Sequence, residues 1–246
     1  AGKSIKVFDV SKKMIEIAKD KNLEIIENID DLITADVETV ITMLPEGKQS
    51  KEVYLGENGI INRVSKDCLL IDCSTIDIQT SIEIGKKASE LEIKMIDAPV
   101  SGGVMGAQKA TLNIMVGGSK EAFEKALPLL KIMGKNIFHA GDLGSGNGAK
   151  ICNNMILAIT MIGTCEAFAL ADKLGLDRSK MFDVVSTSSG YSWTMNAYCP
   201  APGVGPQSPS DNDYKPGFAA DLMLKDLRLA MQAAETADAD TTLGKA

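Results

Sequence analysis

The first 140 residues alternate short, almost wholly apolar runs with longer amphipathic stretches. The run at 69–73 (LLIDC) is typical, because it is apolar at nearly every position instead of alternating with polar residues. A strand of this kind is covered on both faces, as in a parallel sheet that lies between two layers of helices. Strands that alternate with helices along a chain form such sheets. The sequence therefore predicts an α/β fold with a doubly wound, mostly parallel sheet.

Six strands and three helices are predicted in this part of the chain. The strands are 5–10, 39–43, 69–73, 94–98, 113–117 and 136–140, and the helices are 11–19, 78–91 and 120–133. Ser11 is the expected N-cap of the first helix, because a serine hydroxyl can accept a hydrogen bond from a backbone N–H of the first turn.

The pattern changes after residue 148, where no further strand is predicted. A long apolar helix is expected over 149–174, followed by helices near 178–187 and 219–235, with an ordered loop over 198–217. We therefore predict an α/β domain at 1–146 and an all-helical domain at 147–246. The chain begins just before a strand and stops without a clear terminal helix. A preceding βα unit and further helices are accordingly expected outside it.

The composition argues against several kinds of partner and site. The net charge is −7 and the isoelectric point is about 4.9, so no basic surface is expected to bind nucleic acid or an anionic membrane. The five cysteines are scattered and His139 is the only histidine, which leaves a zinc site without ligands. The longest nearly uncharged stretch, 151–165, is expected to be too short to cross a bilayer.

A glycine-rich run at 144–149 has two interpretations. Gly144, Gly146 and Ala149 fit the G-x-G-x-x-A pattern of a loop that binds a dinucleotide pyrophosphate, and they lie between a predicted strand and helix. Such a loop also needs another strand that ends in an acidic residue about twenty positions later. The segment 167–177 predicts a helix and a turn instead, so an ordinary turn is favoured.

Asp9 and the segment Ser101-Gly102-Gly103 are candidates for ligand binding. An acidic side chain at the tip of a strand can accept hydrogen bonds from ribose hydroxyls and would repel a 2′-phosphate, although Asp9 also fits a turn or an N-cap. Two glycines after a serine let backbone N–H groups approach an anion closely, although Ser-Gly-Gly also forms ordinary turns.

Lys150 is the candidate for proton transfer. It lies in the first turn of the long helix, where the helix dipole opposes its charge, and it shares a helix face with Asn154. The positive helix end and partial burial would lower the pKa of this lysine toward a value that suits acid–base catalysis. The alternative is a solvated lysine without a role. The pair Lys225-Asp226, on a later helix, has no functional meaning by itself.

Five separated motifs together resemble the β-hydroxyacid dehydrogenase family, and within it the branch that oxidises 3-hydroxyisobutyrate. They are TMLP at 42–45, DCSTID at 72–77, DAPVSGGVMGA at 97–107, GSGNGAKICNNM at 144–155 and GFAADLMLKDL at 217–227. The spacing between the motifs also matches, and the resemblance covers essentially the whole chain. It implies a Rossmann-like fold with NAD as the cofactor. It also makes the turn at Gly144 the segment that presents Lys150.

The resemblance implies a role for each matched residue. NAD would be bound by Asp9, Leu44, Pro45, Gln49, Thr75 and Lys225; the substrate carboxylate would be held by Ser101, Gly102 and Gly103; Asn154, Phe218 and Asp226 would complete the substrate pocket; and Lys150 would be the acid/base. Members of the family begin with a strand and a G-x-G-x-x-G turn, which this chain lacks.

The implied reaction is the NAD-dependent oxidation of 3-hydroxyisobutyrate to methylmalonate semialdehyde, a step of valine breakdown, by a homo-oligomeric enzyme. One alternative is a related reductase that acts on glyoxylate, succinic semialdehyde or tartronate semialdehyde. The other is a non-catalytic protein that binds NAD or a metabolite on the same scaffold. The segment 188–204 resembles the hydroxyisobutyrate branch more than those reductases. The expected location is the cytoplasm, or the mitochondrial matrix in a eukaryote.

Overall fold

The computed structural model of the chain describes residues 3–34, 37–215 and 217–246. Its strands are β1 (Lys6–Val7), β2 (Glu24–Ile25), β3 (Thr39–Thr42), β4 (Leu69–Asp72), β5 (Lys94–Asp97), β6 (Val100–Ser101), β7 (Leu112–Gly117) and β8 (Gly134–Gly141). Its α-helices are α1 (Lys12–Asp20), α2 (Ile29–Leu32), α3 (Gly47–Leu55), α4 (Ile78–Glu90), α5 (Gly103–Gln108), α6 (Lys120–Met133), α7 (Ser145–Lys173), α8 (Arg178–Val185), α9 (Trp193–Asn196), α10 (Ala220–Thr236) and α11 (Thr242–Lys245). Short 3-10 helices lie at Ile60–Asn62 and Pro209–Asp211.

One mixed sheet forms the centre of the α/β part, in the strand order β3-β4-β5-β7-β6, with β8 also pairing with β7. Strands β3, β4 and β5 are parallel to one another, and β7 is parallel to β8. Strand β7 is antiparallel to β5 and β6, and β1 and β2 form a separate parallel pair. The prediction of a mostly parallel, Rossmann-like sheet followed by helices is confirmed, and the antiparallel pairing of β7 is the departure from it.

Strand β4 shows why the apolar runs do not alternate with polar residues. Leu70 packs in one hydrophobic cluster with Tyr54 and Ile84, whereas Ile71 packs in a second cluster with Ile114. Successive side chains of a strand point to opposite faces of the sheet. A strand that lies between two layers of helices therefore has apolar side chains on both faces. Full burial of such a side chain stabilises the fold by about 1.5–3 kcal/mol.

Helix α7 is longer than predicted, since it begins at Ser145 and runs for 29 residues. The expectation that this region is too short to cross a bilayer is wrong on length. By length and composition α7 could span a membrane, because its most apolar window has a mean hydropathy of 1.6. A central helix of a compact fold has the same properties. The buried side chains of Asn147 and Asn154 favour that role for α7, since both hydrogen-bond to other elements.

The beginning of the described chain differs from the prediction in detail. The strand expected at 5–10 is reduced to β1, because the chain turns at Asp9, whose Oδ1 accepts the backbone N–H of Ser11 at 2.7 Å. Ser11 is the N-cap residue of α1 by position, but its hydroxyl makes no capping hydrogen bond. The sequence also does not predict α2, α3, α5, α9, α11 or the short strands β2 and β6, so the expectation of no clear helix at the end of the chain is wrong for α11. These elements have too few apolar residues to show a clear period.

Among the described residues only helices follow β8, which agrees with the change of pattern after residue 148. A domain boundary between residues 146 and 147 stays a prediction. It would cut α7 within its first turn, where Gly144 and Asn147 hydrogen-bond to the end of β5. The sheet and the start of α7 are therefore one packed unit.

Candidate active site

Three buried polar side chains lie side by side where the parallel strands end. Thr42, Asp72 and Asp97 are the last residues of β3, β4 and β5, and the register pairs Thr42 with Asp72 and Asp72 with Asp97. Only 1% of the surface of each aspartate is exposed. In open α/β sheets, ligands bind outside the carboxyl ends of the strands. A ligand site is therefore expected at this edge of the sheet.

Asp97 fixes the start of α7 against the sheet. Its Oδ1 accepts the backbone N–H of Gly144, and its Oδ2 accepts that of Asn147, both at 2.8 Å. A carboxylate is favourable at this position because the first N–H groups of a helix lack partners within the helix. Burial raises the pKa of Asp97, and the two hydrogen bonds oppose that rise. The glycine-rich run is therefore a turn that binds a side chain of the protein itself, and not a pyrophosphate loop.

Asn147 joins α7 to the loop that follows β4. Its Oδ1 accepts the backbone N–H of Ile76 at 3.1 Å, and its Nδ2 donates to Ser81 Oγ at 2.9 Å. The side chain is completely buried, so these bonds form away from water. Because Ile76 follows Thr75 directly, Asn147 holds this loop close to the first turn of α7. The segment of Thr75, a residue expected at the cofactor site, and the helix of Lys150, the candidate base, are thus held together by Asn147.

Lys150 is buried on α7, with only 7% of its surface exposed. No hydrogen bond or ion pair joins its Nζ to any residue that the structure describes. Burial lowers the pKa of Lys150, the charge of Asp226 raises it, and the charge of Lys225 lowers it again. The net direction is downward, as predicted from the sequence, with burial as the largest cause. A buried amine with a lowered pKa and no partner is suited to exchange a proton with a bound ligand.

Asn154 and Asp226 form a buried pair between α7 and α10. The Nδ2 of Asn154 donates to Asp226 Oδ2 at 2.5 Å, and both residues are at least 97% removed from solvent. The other oxygen, Asp226 Oδ1, lies 3.4 Å from Lys225 Nζ but accepts no hydrogen bond from the described part of the chain. Burial of an acceptor without a donor costs free energy. Such unsatisfied groups occur at binding sites, where a ligand can supply the missing donor.

Lys225 connects α10 to both loops at the carboxyl edge of the sheet. Its Nζ donates to the carbonyl oxygen of Thr75 at 2.7 Å and to that of Pro45 at 3.2 Å. These residues lie 150 and 180 positions away along the chain. The sequence alone does not predict a function for Lys225-Asp226. In the fold, Lys225 hydrogen-bonds to both loops, and the charges of both residues act on Lys150.

The remaining residues expected at the cofactor site lie on separate segments. Leu44 follows β3, and its backbone N–H donates to Ser74 Oγ at 2.7 Å. Gln49 lies in the first turn of α3 with an exposed side chain. Asp9 lies between β1 and α1, where one carboxylate oxygen binds the Ser11 N–H as a turn residue does. No interaction within the described chain joins Asp9 to the carboxyl edge of the main sheet.

The segment expected to bind the substrate carboxylate lies between β6 and α5. Gly102 and Gly103 have φ angles of +127° and +61°, which an L side chain rarely adopts. A Cβ at Gly103 would meet no atom within 4 Å, so the space beside this residue is open. Ser101 is half-buried at the end of β6. Across the described residues, no hydrogen bond joins this segment to Lys150.

Phe218 lies just before α10 and is 41% exposed. The Tyr198 hydroxyl packs against the neighbouring Gly217, where a Cβ would lie 2.5 Å from the phenol oxygen. Tyr198 in turn stacks on Trp193, with ring centroids 5.0 Å apart. The loop that the sequence predicts over 198–217 therefore supports the position of Phe218.

Asp72, Asp97 and Asn147 hold the site together but were not predicted from the sequence. A signal for the aspartates was present, because LLID and KMID both place a carboxylate at the end of a buried strand. A buried carboxylate requires hydrogen-bond donors, which predicts an anchoring role. Asn147 has no comparable signal, since a short polar residue between two glycines is also typical of an exposed turn.

Comparisons with known proteins give the class and the family. A family model described as the NAD binding domain of 6-phosphogluconate dehydrogenase matches residues 1–141. A second model, described as "NAD-binding of NADP-dependent 3-hydroxyisobutyrate dehydrogenase", matches residues 144–246. The fold and these two matches define an NAD-binding oxidoreductase.

Similar proteins identify the branch of this class. A 3-hydroxyisobutyrate dehydrogenase of Pseudomonas aeruginosa is 45% identical over 244 residues, which are 99% of this chain and 82% of that protein. An NAD-dependent L-serine dehydrogenase of the same organism is 40% identical with the same coverage. A solved structure of the Mycobacterium tuberculosis 3-hydroxyisobutyrate dehydrogenase with L-serine superposes with a TM-score of 0.92 at 39% identity, covering 99% of this chain and 82% of that one. The chain belongs to the 3-hydroxyisobutyrate dehydrogenase family, and its cofactor is NAD.

Proposed function

We propose that the protein oxidises 3-hydroxyisobutyrate to methylmalonate semialdehyde, with NAD as the oxidant and Lys150 as the acid/base. This reaction is a step of valine breakdown. The observation that carries the proposal is the buried residue Lys150, with its lowered pKa, on a helix that is anchored to the carboxyl edge of the sheet; its amine has no hydrogen bond or ion pair with the described residues. The family supports the substrate, and the site supports the chemistry.

Oxidation of an alcohol removes a hydride from carbon and a proton from the hydroxyl. NAD, when bound, accepts the hydride. Lys150 takes the proton, because burial and the charge of Lys225 favour its neutral form. Asn154 is held by Asp226 through one hydrogen of its amide group, which leaves the other hydrogen for the substrate. In the reverse direction the protonated Lys150 returns the proton to the aldehyde oxygen.

The residues at the carboxyl edge of the sheet fit NAD. Three parallel strands end there, and the loops after β3 and β4 are held together through their backbone carbonyls by Lys225. In this proposal NAD is bound by Leu44, Pro45, Gln49, Thr75 and Lys225, with Asp9 at the adenosine ribose. An acidic residue at that position disfavours a 2′-phosphate and so favours NAD over NADP.

The substrate is proposed to bind between the Ser-Gly-Gly segment and the helices. Ser101, Gly102 and Gly103 offer a hydroxyl and backbone N–H groups to the carboxylate, and the space beside Gly103 is open. Phe218 offers an apolar face to the methyl group of the substrate. L-serine is the second candidate, because an L-serine dehydrogenase is among the relatives and L-serine carries an ammonium where hydroxyisobutyrate has the methyl.

The assembly and location are also proposals. Helix α7 and its C-cap residue Leu174 expose large apolar side chains, with Ile156, Ile162 and Leu170 on the helix, each with more than half of its surface accessible. Contact with a second copy would cover such a face, which supports a homo-oligomer. The net charge of −7 argues against nucleic acid and anionic membranes as partners. We place the enzyme in the cytoplasm, or in the mitochondrial matrix in a eukaryote.

The test is NAD reduction, followed by absorbance, with 3-hydroxyisobutyrate and L-serine in parallel. The reverse reaction is measured with glyoxylate, succinic semialdehyde and tartronate semialdehyde. The proposal predicts the highest kcat/KM for 3-hydroxyisobutyrate. A higher value for L-serine or for one of the three aldehydes would move the assignment to that substrate. NAD binding by calorimetry without turnover of any compound would show a non-catalytic protein.

A further inference from the structure

A chain of hydrogen bonds below the proposed cofactor loops converges on Asp72. Thr42 Oγ1 donates to Asp72 Oδ1 at 2.9 Å, and the backbone N–H of Ser74 donates to the same oxygen at 3.0 Å. Since the Thr42 proton goes to Asp72, the Tyr54 hydroxyl must donate to Thr42 Oγ1, 2.7 Å away. Tyr54 is completely buried. The end of β3 and the start of the loop after β4 therefore share one carboxylate.

This network reaches the cofactor loops through Ser74. Its hydroxyl oxygen accepts the backbone N–H of Leu44 at 2.7 Å, and its own N–H is bound to Asp72. Leu44 and Thr75 are both expected to line the NAD site. Leu44 takes part in this network through its backbone N–H, and Thr75 directly follows Ser74. A change at Asp72 would therefore reach the cofactor through two short segments of backbone.

The same two loops are also joined by Lys225, which donates to the carbonyl oxygens of Pro45 and Thr75. The ammonium reaches both carbonyls only if the loops keep their present spacing. Lys225 is partly exposed, whereas Asp72 is 99% removed from solvent. Lys225 thus joins the two loops from the helical side, and Asp72 binds the end of β3 and the start of the loop after β4 from the side of the sheet.

We propose that Asp72 is a positioning residue for NAD, which holds the loops after β3 and β4 at the spacing that the cofactor requires. Asp72 does not touch the reacting atoms and acts through Ser74, Leu44 and Thr75. Asp97, on the next strand, is equally buried and in register with it, but its carboxylate binds the N-terminus of α7. The two aspartates therefore have separate effects, one on the cofactor and the other on the helix of Lys150.

The test is Asp72→Asn in the full-length protein, with Asp97→Asn as the matched control. Asp72→Asn is expected to raise the Kd and KM for NAD about tenfold, the size of one weakened hydrogen bond to a charged group. The kcat at saturating NAD should stay within about twofold and the KM for the hydroxy acid should be unchanged, since the Lys150 side is intact. Asp97→Asn should lower kcat and leave the Kd for NAD within about twofold.

A second variant keeps the proposal testable if Asp72→Asn does not fold. Ser74→Ala removes the acceptor of the Leu44 N–H while it leaves the carboxylate in place, and it should raise the Kd for NAD about threefold. Circular dichroism and thermal unfolding check that each variant is folded. An unchanged Kd for NAD in folded Asp72→Asn, or in Ser74→Ala, would overturn the proposal, as would an equal loss of NAD affinity in Asp97→Asn.

The proposal rests on the proposed function only for the identity of the loops that bind NAD. The Kd for NAD is measured by calorimetry without a hydroxy acid, so it does not depend on the substrate or on the role of Lys150. Failure of the substrate assignment would leave these affinities as expected. Failure of the positioning role would show in them while turnover of 3-hydroxyisobutyrate by the wild type continued.

Discussion

The two sides of the site differ in how their polar groups are used. At the carboxyl edge of the sheet, Asp72, Asp97 and Asn147 are buried with hydrogen-bond partners for their functional groups. On the helical side, neither the amine of the buried residue Lys150 nor the buried Asp226 Oδ1 has a hydrogen-bond partner among the described residues. The groups with partners hold backbone segments in place, whereas those without partners are available to a ligand.

This difference helps to distinguish buried polar residues that hold the structure in place from those that act on a ligand. A satisfied buried group costs little and makes one arrangement of the backbone preferable to others. An unsatisfied one costs free energy that the fold must recover elsewhere, so it persists where a ligand completes it. Burial by itself therefore does not identify a catalytic residue in this molecule. Ser50 Oγ and Asn196 Oδ1 are also buried without a hydrogen-bond partner among the described residues, so a missing partner is informative only beside the other groups of the site.

Replacement of Lys150 is the change with the largest expected effect. Lys150→Ala should lower kcat by about a thousandfold, within the range for the loss of a general base, and leave the Kd for NAD unchanged. Lys150→Arg is the informative control, since it keeps the positive charge but does not release a proton near neutral pH. Both are measured as NAD reduction and as NAD binding by calorimetry. Substantial turnover by Lys150→Arg would contradict proton transfer by this residue.

Loss of an anchoring group on the sheet side should affect stability first. Asn147→Ala leaves the Ile76 N–H and the Ser81 hydroxyl without their partner, which should lower the free energy of unfolding by about 2–4 kcal/mol. Asn153→Ala is the matched control on the same helix, because its side chain is exposed and bonds only to Asn154. Urea unfolding of the two variants measures the difference. Equal stability would mean that α7 and the loop after β4 are not coupled through Asn147.

Most of the fold could be predicted because its strands are buried on both faces. Leu70 and Ile71 pack on opposite sides of the sheet, and this double burial is what makes the run at 69–73 apolar throughout. The antiparallel pairing of β7 and the two-residue strand β6 could not be predicted. They depend on where distant segments meet, and short elements carry no period.

The roles of the site residues stay predictions, and the connections between these residues could not be predicted from the sequence. The downward direction of the pKa shift of Lys150 was predicted, but its expected place in the first turn of the helix is wrong. Helix α7 begins at Ser145, so Lys150 lies beyond the first turn, and burial is the largest cause of the shift. The contacts of Lys225 with Pro45 and Thr75 join residues far apart in the chain. No local pattern encodes such contacts, because they are set by the packing of α10 against the sheet edge.

Charge changes on α10 should move the pH dependence of turnover in opposite directions. Asp226 raises the pKa of Lys150 and Lys225 lowers it, so Asp226→Asn should lower that pKa and Lys225→Met should raise it. The rate of oxidation rises as Lys150 loses its proton. The rising limb of the profile should therefore shift to lower pH in Asp226→Asn and to higher pH in Lys225→Met. Shifts of kcat/KM in the same direction for both variants would contradict the electrostatic arrangement.

The smallest expected effect is a gain of stability when the amine of Lys150, which has no partner among the described residues, is removed. Lys150→Met keeps an unbranched side chain of similar length without a charge to bury, and it should raise the free energy of unfolding by about 1 kcal/mol near neutral pH. The pKa of Lys150 is lower in the folded protein than in the unfolded chain, so between these two values the unfolded chain binds more protons. Wild-type stability contributed by this group therefore rises with pH across that window.

The advantage of Lys150→Met should accordingly be complete below the folded pKa of the lysine and decrease as the pH rises toward the ordinary lysine value. Urea unfolding of both proteins at a series of pH values measures this difference directly. A satisfied group would behave in the opposite way: a methionine in place of a lysine with a strong partner would destabilise the fold. A loss of stability in Lys150→Met would thus show that the amine has a partner in the folded protein, and it would remove the distinction between the two sides of the site.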